Sequence, residues 1–166
     1  MRFLAHHSLR ASAETRGDHE ALVCGAERLT FTGMETAAGE LANGLQRSGV
    51  QRLDRVGVML DPSIPLALSL YGISWAGAVF VPIHPSLFPE QVEHIVRDCA
   101  ITALITEGGR FDSLREMLER CASLRLVILV GPTQSPGGRL EQLDLSAFRG
   151  APAPTHREVA IDRDLA

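Results

Sequence analysis

Residues 64–85, IPLALSLYGISWAGAVFVPIHP, decide the fold. From Ile64 to about Ala76, apolar side chains fall on nearly every face of a helix. Pro65 sits in the first turn, where a missing N–H costs little. Gly77 is placed to close that helix through a left-handed turn. Ala78 to Val81 then reads as a short strand, apolar on both faces and stopped by Pro82. A helix apolar all round, followed at once by such a strand, is predicted to lie inside a layered α/β domain. About twenty largely apolar residues also have the length of a membrane span. Gly77, Pro82, His84 and Pro85 interrupt the run, so it reads as core.

Working outward, residues 32–48 form the clearest amphipathic helix. Thr32 and Glu35 have the spacing of a capping box. Met34, Ala37, Ala38, Leu41, Ala42 and Leu45 make one apolar stripe, and Gly49 supplies the stop, with Val50 folding back onto the last turn. Before it, residues 3–13 suit a short helix with Phe3, Leu4, His7 and Leu9 inward. Residues 21–24 and 28–31 flank Gly25-Ala26-Glu27 as a hairpin with a three-residue loop. Residues 56–60 read as a buried strand, and Asp61 and Ser63 both stand where a cap for the next helix is needed. A helix opened by Pro89 and Glu90 buries Val92, Ile95, Val96 and Cys99. A strand at 101–106, a helix marked by Phe111, Leu114, Leu118 and Cys121, and a strand at 126–130 follow. Strands alternating with helices at this spacing imply parallel pairing through right-handed crossovers, in an order the sequence leaves open. From Gly131 onward Pro and Gly dominate and only residues 140–148 carry an apolar cluster, so 131–166 is expected to be irregular.

The 166 residues suit one domain or part of a larger one. An apolar fraction of 45% and a charged fraction of 22% are those of a folded chain. The net charge of −4 and the lack of a basic cluster argue against nucleic acid or an anionic membrane as partner. All 16 Lys/Arg positions hold arginine. A Walker-type phosphate lysine and a Schiff-base lysine are therefore both excluded from this stretch. Cys24, Cys99 and Cys121 are scattered without a CxxC pair, and MRFLAHHSLR lacks a signal-peptide apolar region, which together make a reducing cytoplasmic setting the expectation.

Few residues present themselves for chemistry. Gly108-Gly109 follows a strand and precedes a helix, where a dinucleotide loop would sit, yet GxGxxG is absent and the pair reads as a turn, as does Gly137-Gly138. His84 lies just past a strand's C-terminal end, where α/β proteins place ligands, but no orienting partner is assignable, and a loop histidine bonded to nearby backbone is the favoured reading. Asp61 is explained by capping. Glu93 and His94 are neighbours that face apart near Glu90, and His6 and His7 likewise make a poor metal pair. No catalytic, cofactor-binding or metal-ligating residue is assigned.

The order of several short motifs carries a resemblance. Ala21-Leu22-Val23, Leu29-Thr30-Phe31, Leu41-Ala42-Asn43-Gly44-Leu45, Gly49-Val50 and Asp54-Arg55-Val56 precede Trp75-Ala76-Gly77-Ala78-Val79-Phe80-Val81-Pro82-Ile83-His84-Pro85. Together they resemble the start of the AMP-forming adenylating enzymes, a superfamily of acyl-CoA synthetases, luciferase-like ligases and peptide-synthetase adenylation domains. The likeness covers residues 3–130. Residues 74–99 and Cys-Ala-Ser-Leu-Arg at 121–125 resemble most the acyl-CoA ligases associated with exosortase systems. Two positions depart: Gly17 stands where the family has proline before Asp18, and Leu53 where glycine precedes Asp54.

The resemblance implies a fold and a role. The fold is α/β, a mostly parallel sheet with helical crossovers after an initial β-hairpin, forming the N-terminal part of the large domain. Residues 1–130 would be that α/β portion, and residues 131–166 an irregular segment leading toward the ATP-phosphate loop. The role is that of an N-terminal fragment of an AMP-forming acyl-CoA ligase, inactive alone. ATP, Mg and coenzyme A belong to the whole enzyme, and a carboxylic acid is its substrate. The remainder of the enzyme is the expected partner, with self-association through uncovered apolar surface when it is missing. Thr30, Gly77, Pro82 and Pro85 match family positions as fold-making turns and strand ends. A free-standing α/β binding or scaffold module is the alternative. A Rossmann-like nucleotide binder is disfavoured by the missing glycine fingerprint.

Overall fold

The computed structural model describes residues 4–150. Helix α1 (Ala5–Arg16) leads into strands β1 (Glu20–Cys24) and β2 (Glu27–Thr30), an antiparallel hairpin, and helix α2 (Phe31–Arg47) follows. Then come β3 (Arg55–Met59), α3 (Ile64–Trp75), β4 (Val79–Pro82), α4 (Pro89–Asp98), β5 (Ala103–Glu107), α5 (Gly108–Glu119), β6 (Leu126–Val130), β7 (Glu141–Asp144) and a 3-10 turn (Leu145–Phe148). The five later strands form one sheet in the order β4-β3-β5-β6-β7, every neighbouring pair parallel.

Alternation along the strands sends side chains to two cores. Val56, Val58, Ala103, Ile105, Leu126 and Ile128 pack toward α2, α3 and Phe148. Met59, Leu104, Val127 and Leu129 pack toward α4 and α5, where Val92, Val96, Phe111, Leu114 and Leu118 are buried. A third cluster of Leu9, Met34 and Ala38, backed by Leu22, Phe31 and Trp75, fastens α1 and the hairpin to α2 and α3.

Several local expectations hold. Gly49 (φ 79°) and Gly77 (φ 80°) both close their helices. In each case the residue beyond the glycine bonds back to the last turn, Val50 N to Leu45 O and Ala78 N to Ile73 O. Ser63, rather than Asp61, caps α3 through Leu66 N.

Other expectations are corrected. The cap of α2 is Thr30, whose Oγ1 accepts from Gly33 N, not Thr32. The reason is that Phe31 N and Thr32 N are already taken by the carbonyls of His19 and Gly17. On α1 it is His6 that is buried and His7 that is half-buried, while Phe3 lies outside the described residues. The hairpin loop has two residues, not three, because Cys24 pairs directly with Glu27, and Gly25 (φ 59°) takes the first turn position. Gly108-Gly109 is the first turn of α5 rather than a free turn. Segment 131–166 is not irregular throughout, since Glu141–Asp144 joins the sheet as β7.

The quoted stretch itself sits nearer the margin than its composition implies. Of α3, only Ser69, Gly72, Ile73 and Ser74 are buried; Leu66, Ala67, Leu68 and Leu70 are half-buried. β4 is an edge strand. Its N–H groups at Val79 and Val81 alternate toward β3, so Pro82 falls in the outward set, where a missing donor breaks no ladder bond.

Among the described residues two that are not glycine hold left-handed backbone, Leu53 (φ 66°) and Ala100 (φ 48°). Leu53 is the position where the related motif has glycine, and Ala100 ends α4 as Gly49 ends α2, with Ile101 N bonded to Val96 O. Leu53→Gly and Ala100→Gly are each expected to add about 0.5–1 kcal/mol of stability, strain relief exceeding the unfolded-state entropy of glycine. Urea denaturation of each variant measures it. At Gly17 the departure has a steric basis: a Cβ would fall on Thr32 Oγ1 and lie 2.9 Å from Ala13 O.

Candidate functional site

In a parallel sheet, ligands gather where neighbouring strands send their connections to opposite faces. Here β3 leads to α3 on one face and its neighbour β5 leads to α5 on the other. The C-terminal ends of β3, β4, β5 and β6 therefore define the candidate crevice, with Asp61, His84, Thr106, Gly108 and Gly131 at or beside them.

The sequence-derived candidates behave as structure there. His84 is exposed, and its Nδ1 accepts from Ser86 N at 3.2 Å and lies 2.8 Å from Ser86 Oγ, so it organises its own loop. Asp61 is exposed and its backbone carbonyl accepts from Ser63 Oγ. Glu93 pairs with Arg97 at 2.7 Å along α4, with Glu90 and His94 exposed. Gly137 (φ 81°) and Gly138 (φ 111°) both hold left-handed backbone, with a bend at Gly138. Cys121 is buried, which pushes its thiol up, while Cys99 is half-buried and Cys24 exposed. Among the described residues no group of His, Cys, Asp and Glu could hold a metal. No helix among them is long and apolar enough to cross a membrane.

What the sequence did not reveal are the contacts between distant elements. Arg110, in the first turn of α5, donates to Leu87 O and so ties the β4–α4 loop to the crevice. Thr106, wholly buried at the end of β5, leaves its hydroxyl without a partner. His6 Nδ1 meets Ser74 Oγ at 3.0 Å and its ring stacks on Trp75 at 6.0 Å, docking α1 on α3. No spacing signal marks these pairs, because each joins residues far apart in the chain or is a missing bond.

The loop leaving β6 is held by a carboxylate. Asp112 accepts from Gln134 N at 2.9 Å and from Thr133 Oγ1 at 2.6 Å, and these bonds, the backbone one foremost, hold its carboxyl below the usual range. A depressed native value means the stabilisation is fully present above the unfolded value of about 4 and fades as pH falls through the native one. Asp112→Asn is therefore expected to lower stability at pH 7 while flattening its fall below about pH 4. Paired urea titrations at pH 7 and in acid check this.

A second concavity, an open groove of about 670 Å³, runs between the hairpin, α2 and the start of α3. Leu29, Ala37, Ile64 and Leu68 line it, and Gly150 N is bonded to Glu40 Oε1 at its rim.

Comparison with known proteins places this architecture. A family model described as AMP-binding enzyme matches residues 9–161. Phosphinothricin tripeptide synthetase PhsC of Streptomyces viridochromogenes is 33% identical over 138 residues, 80% of this chain and 13% of that protein. A medium/long-chain-fatty-acid–CoA/3-oxocholest-4-en-26-oate–CoA ligase of Mycobacterium tuberculosis is 28% identical over 127 residues, 76% of this chain and 22% of that one. The solved coronafacic acid ligase of Pectobacterium brasiliense shares the fold at a TM-score of 0.86 and 18% identity, over 93% of this chain and 31% of the ligase. The 166 residues thus span a minor share of each of these three proteins. With the family model covering most of its length, the chain belongs to the AMP-binding enzyme family, whose members among its relatives are adenylate-forming synthetases and ligases.

Proposed function

We propose that this stretch is the supporting N-terminal portion of the large domain of an AMP-forming acyl-CoA ligase. The whole enzyme would join a carboxylate to the α-phosphate of ATP with loss of pyrophosphate, then pass the acyl group to the thiol of coenzyme A with loss of AMP. The observation that carries the reading is the family match across residues 9–161. The mycobacterial relative, named as a CoA ligase, supports the thiol acceptor.

The described residues do not fit a nucleotide triphosphate with Mg. No lysine is present. Arg55, Arg125 and Arg139 are committed to backbone carbonyls. No step is therefore assigned to a residue of this stretch, and stabilisation of charge at phosphorus would come from positioned cations and N–H groups elsewhere in the enzyme. We place the phosphate loop beyond residue 166, with residues 131–166 as the approach to it. The half-buried flank of α3 and the groove beside it are surfaces for the rest of the enzyme, and in its absence for self-association.

A free-standing binding or scaffold module is the second reading, favoured by the covering of the sheet on both faces. Reading the codons that follow Ala166 separates the two. A Ser/Thr/Gly-rich segment ending Pro-Lys-Gly supports the ligase, and a stop codon supports the module.

A further inference from the structure

We infer that the groove between the hairpin, α2 and the start of α3 is a docking site for this chain's own Val159, Ala160 and Ile161, which lie outside the described residues. Its apolar lining comes from three elements: Leu29 of β2, Ala37 of α2, and Ile64 and Leu68 of α3. Each of the four is half-buried. Apolar side chains from separate elements that converge on one open concavity are completed by a further apolar group.

The chain itself leads into this groove. Phe148 is buried in the α2/α3 core and sits over Gly44, where a Cβ would fall on its ring. Two residues later Gly150 turns with φ 73°, and its N–H donates to Glu40 Oε1 at 3.0 Å. Arg149 and Gly150 are themselves part of the groove's wall. The outlet of the chain is thus pinned at the groove on both sides of Arg149. Residues 159–161 are the longest apolar run after Gly150, with charged residues on either side at Arg157, Glu158, Asp162 and Arg163. The intervening residues 151–158 can extend by about 30 Å, ample for a site whose wall includes Gly150. A segment tethered at that distance meets its site at about millimolar effective concentration. A second copy or a separate protein would have to displace it.

This inference does not rest on the ligase reading, because groove and segment both belong to this chain. It is tested by methyl NOE spectroscopy of the 166-residue chain, repeated after dilution of the labelled chain with unlabelled, deuterated chain. The expected result is NOEs from the methyl groups of Val159 and Ile161 to those of Leu29 and Leu68, undiminished per labelled molecule on dilution. Ile161→Asp is expected to lower occupancy about tenfold or more by setting a charge against apolar walls, and so to shift the Leu29 and Leu68 methyl signals. Leu68→Asp is expected to shift those of Val159 and Ile161. Absence of the NOEs, or Leu29 and Leu68 unmoved by Ile161→Asp, overturns the assignment. NOEs that fall in proportion to dilution also overturn it, since they make a second copy the occupant.

Discussion

Gly108→Ala is expected to destabilise the chain by about 2–4 kcal/mol, while Gly109→Ala, one residue on, is expected to stabilise it by up to about 1 kcal/mol. The two glycines share a helical turn and a composition, and differ in what faces them. A Cβ on Gly108 would fall on the carbonyl of Pro132, 2.5 Å from its carbon and 3.0 Å from Thr133 N. Those are backbone atoms, so neither a rotamer change nor a small side-chain shift relieves the overlap. The loop leaving β6 would have to lift off α5, breaking the bonds of Asp112 to Thr133 and Gln134 as it moved. A Cβ on Gly109 meets nothing within 4 Å, leaving only the helix preference for alanine over glycine. Equilibrium denaturation of the two variants gives opposite signs. Equal effects would mean that the loop does not rest on Gly108.

Removal of the Arg139 side chain is the second large effect. Its guanidinium donates to Leu124 O at 2.7 Å, Glu119 O and Cys121 O at 2.9 Å, and Leu118 O at 3.4 Å. These carbonyls lie at and just beyond the end of α5, which has no glycine to close it; Leu118 O and Cys121 O also accept from backbone N–H groups, of Cys121 and Leu124. The Glu119 carboxylate lies 3.8 Å away, a minor addition because the pair is partly exposed. Arg139→Ala is expected to cost about 3 kcal/mol and Arg139→Lys about 2, since an ammonium keeps the charge but cannot address several carbonyls at once. Hydrogen exchange should show the loss concentrated in β7, which begins two residues later. A lysine variant as stable as the parent would show that charge alone suffices.

The same device recurs at two other arginines. Arg55, at the start of β3, donates to Cys99 O and Ala100 O after α4. Arg125, just before β6, donates to Ser48 O and Gly49 O after α2. All three arginines sit at the N-terminal ends of strands, where the negative ends of the helices converge. These three cations are engaged at the edge of the sheet opposite the crevice.

What was legible in the sequence was what local chemistry fixes. The closures at Gly49 and Gly77 and the Ser63 cap each depend on residues within one turn, and β6 was placed to the residue. Thr30 was missed as a cap because the N–H groups of Phe31 and Thr32 are satisfied by carbonyls of the preceding loop. β7 was missed because four polar-to-apolar residues, EQLD, carry little pattern, and the strand is positioned by Arg139 and by the bond from Glu141 N to Arg125 O. The apolar character of α3 was read as burial, yet much of that helix is only half covered among the described residues. The candidate site was the least legible, since Thr106 and Arg110 gain meaning only from partners they lack or reach across loops.

The measurement that most directly tests the account is carboxylate-dependent ATP–pyrophosphate exchange by the purified 166-residue chain. None above background is expected with fatty, aryl or amino acids, because the proposed reading places the groups that handle ATP elsewhere in the enzyme. Exchange that survives repurification and is lost on denaturation would contradict it.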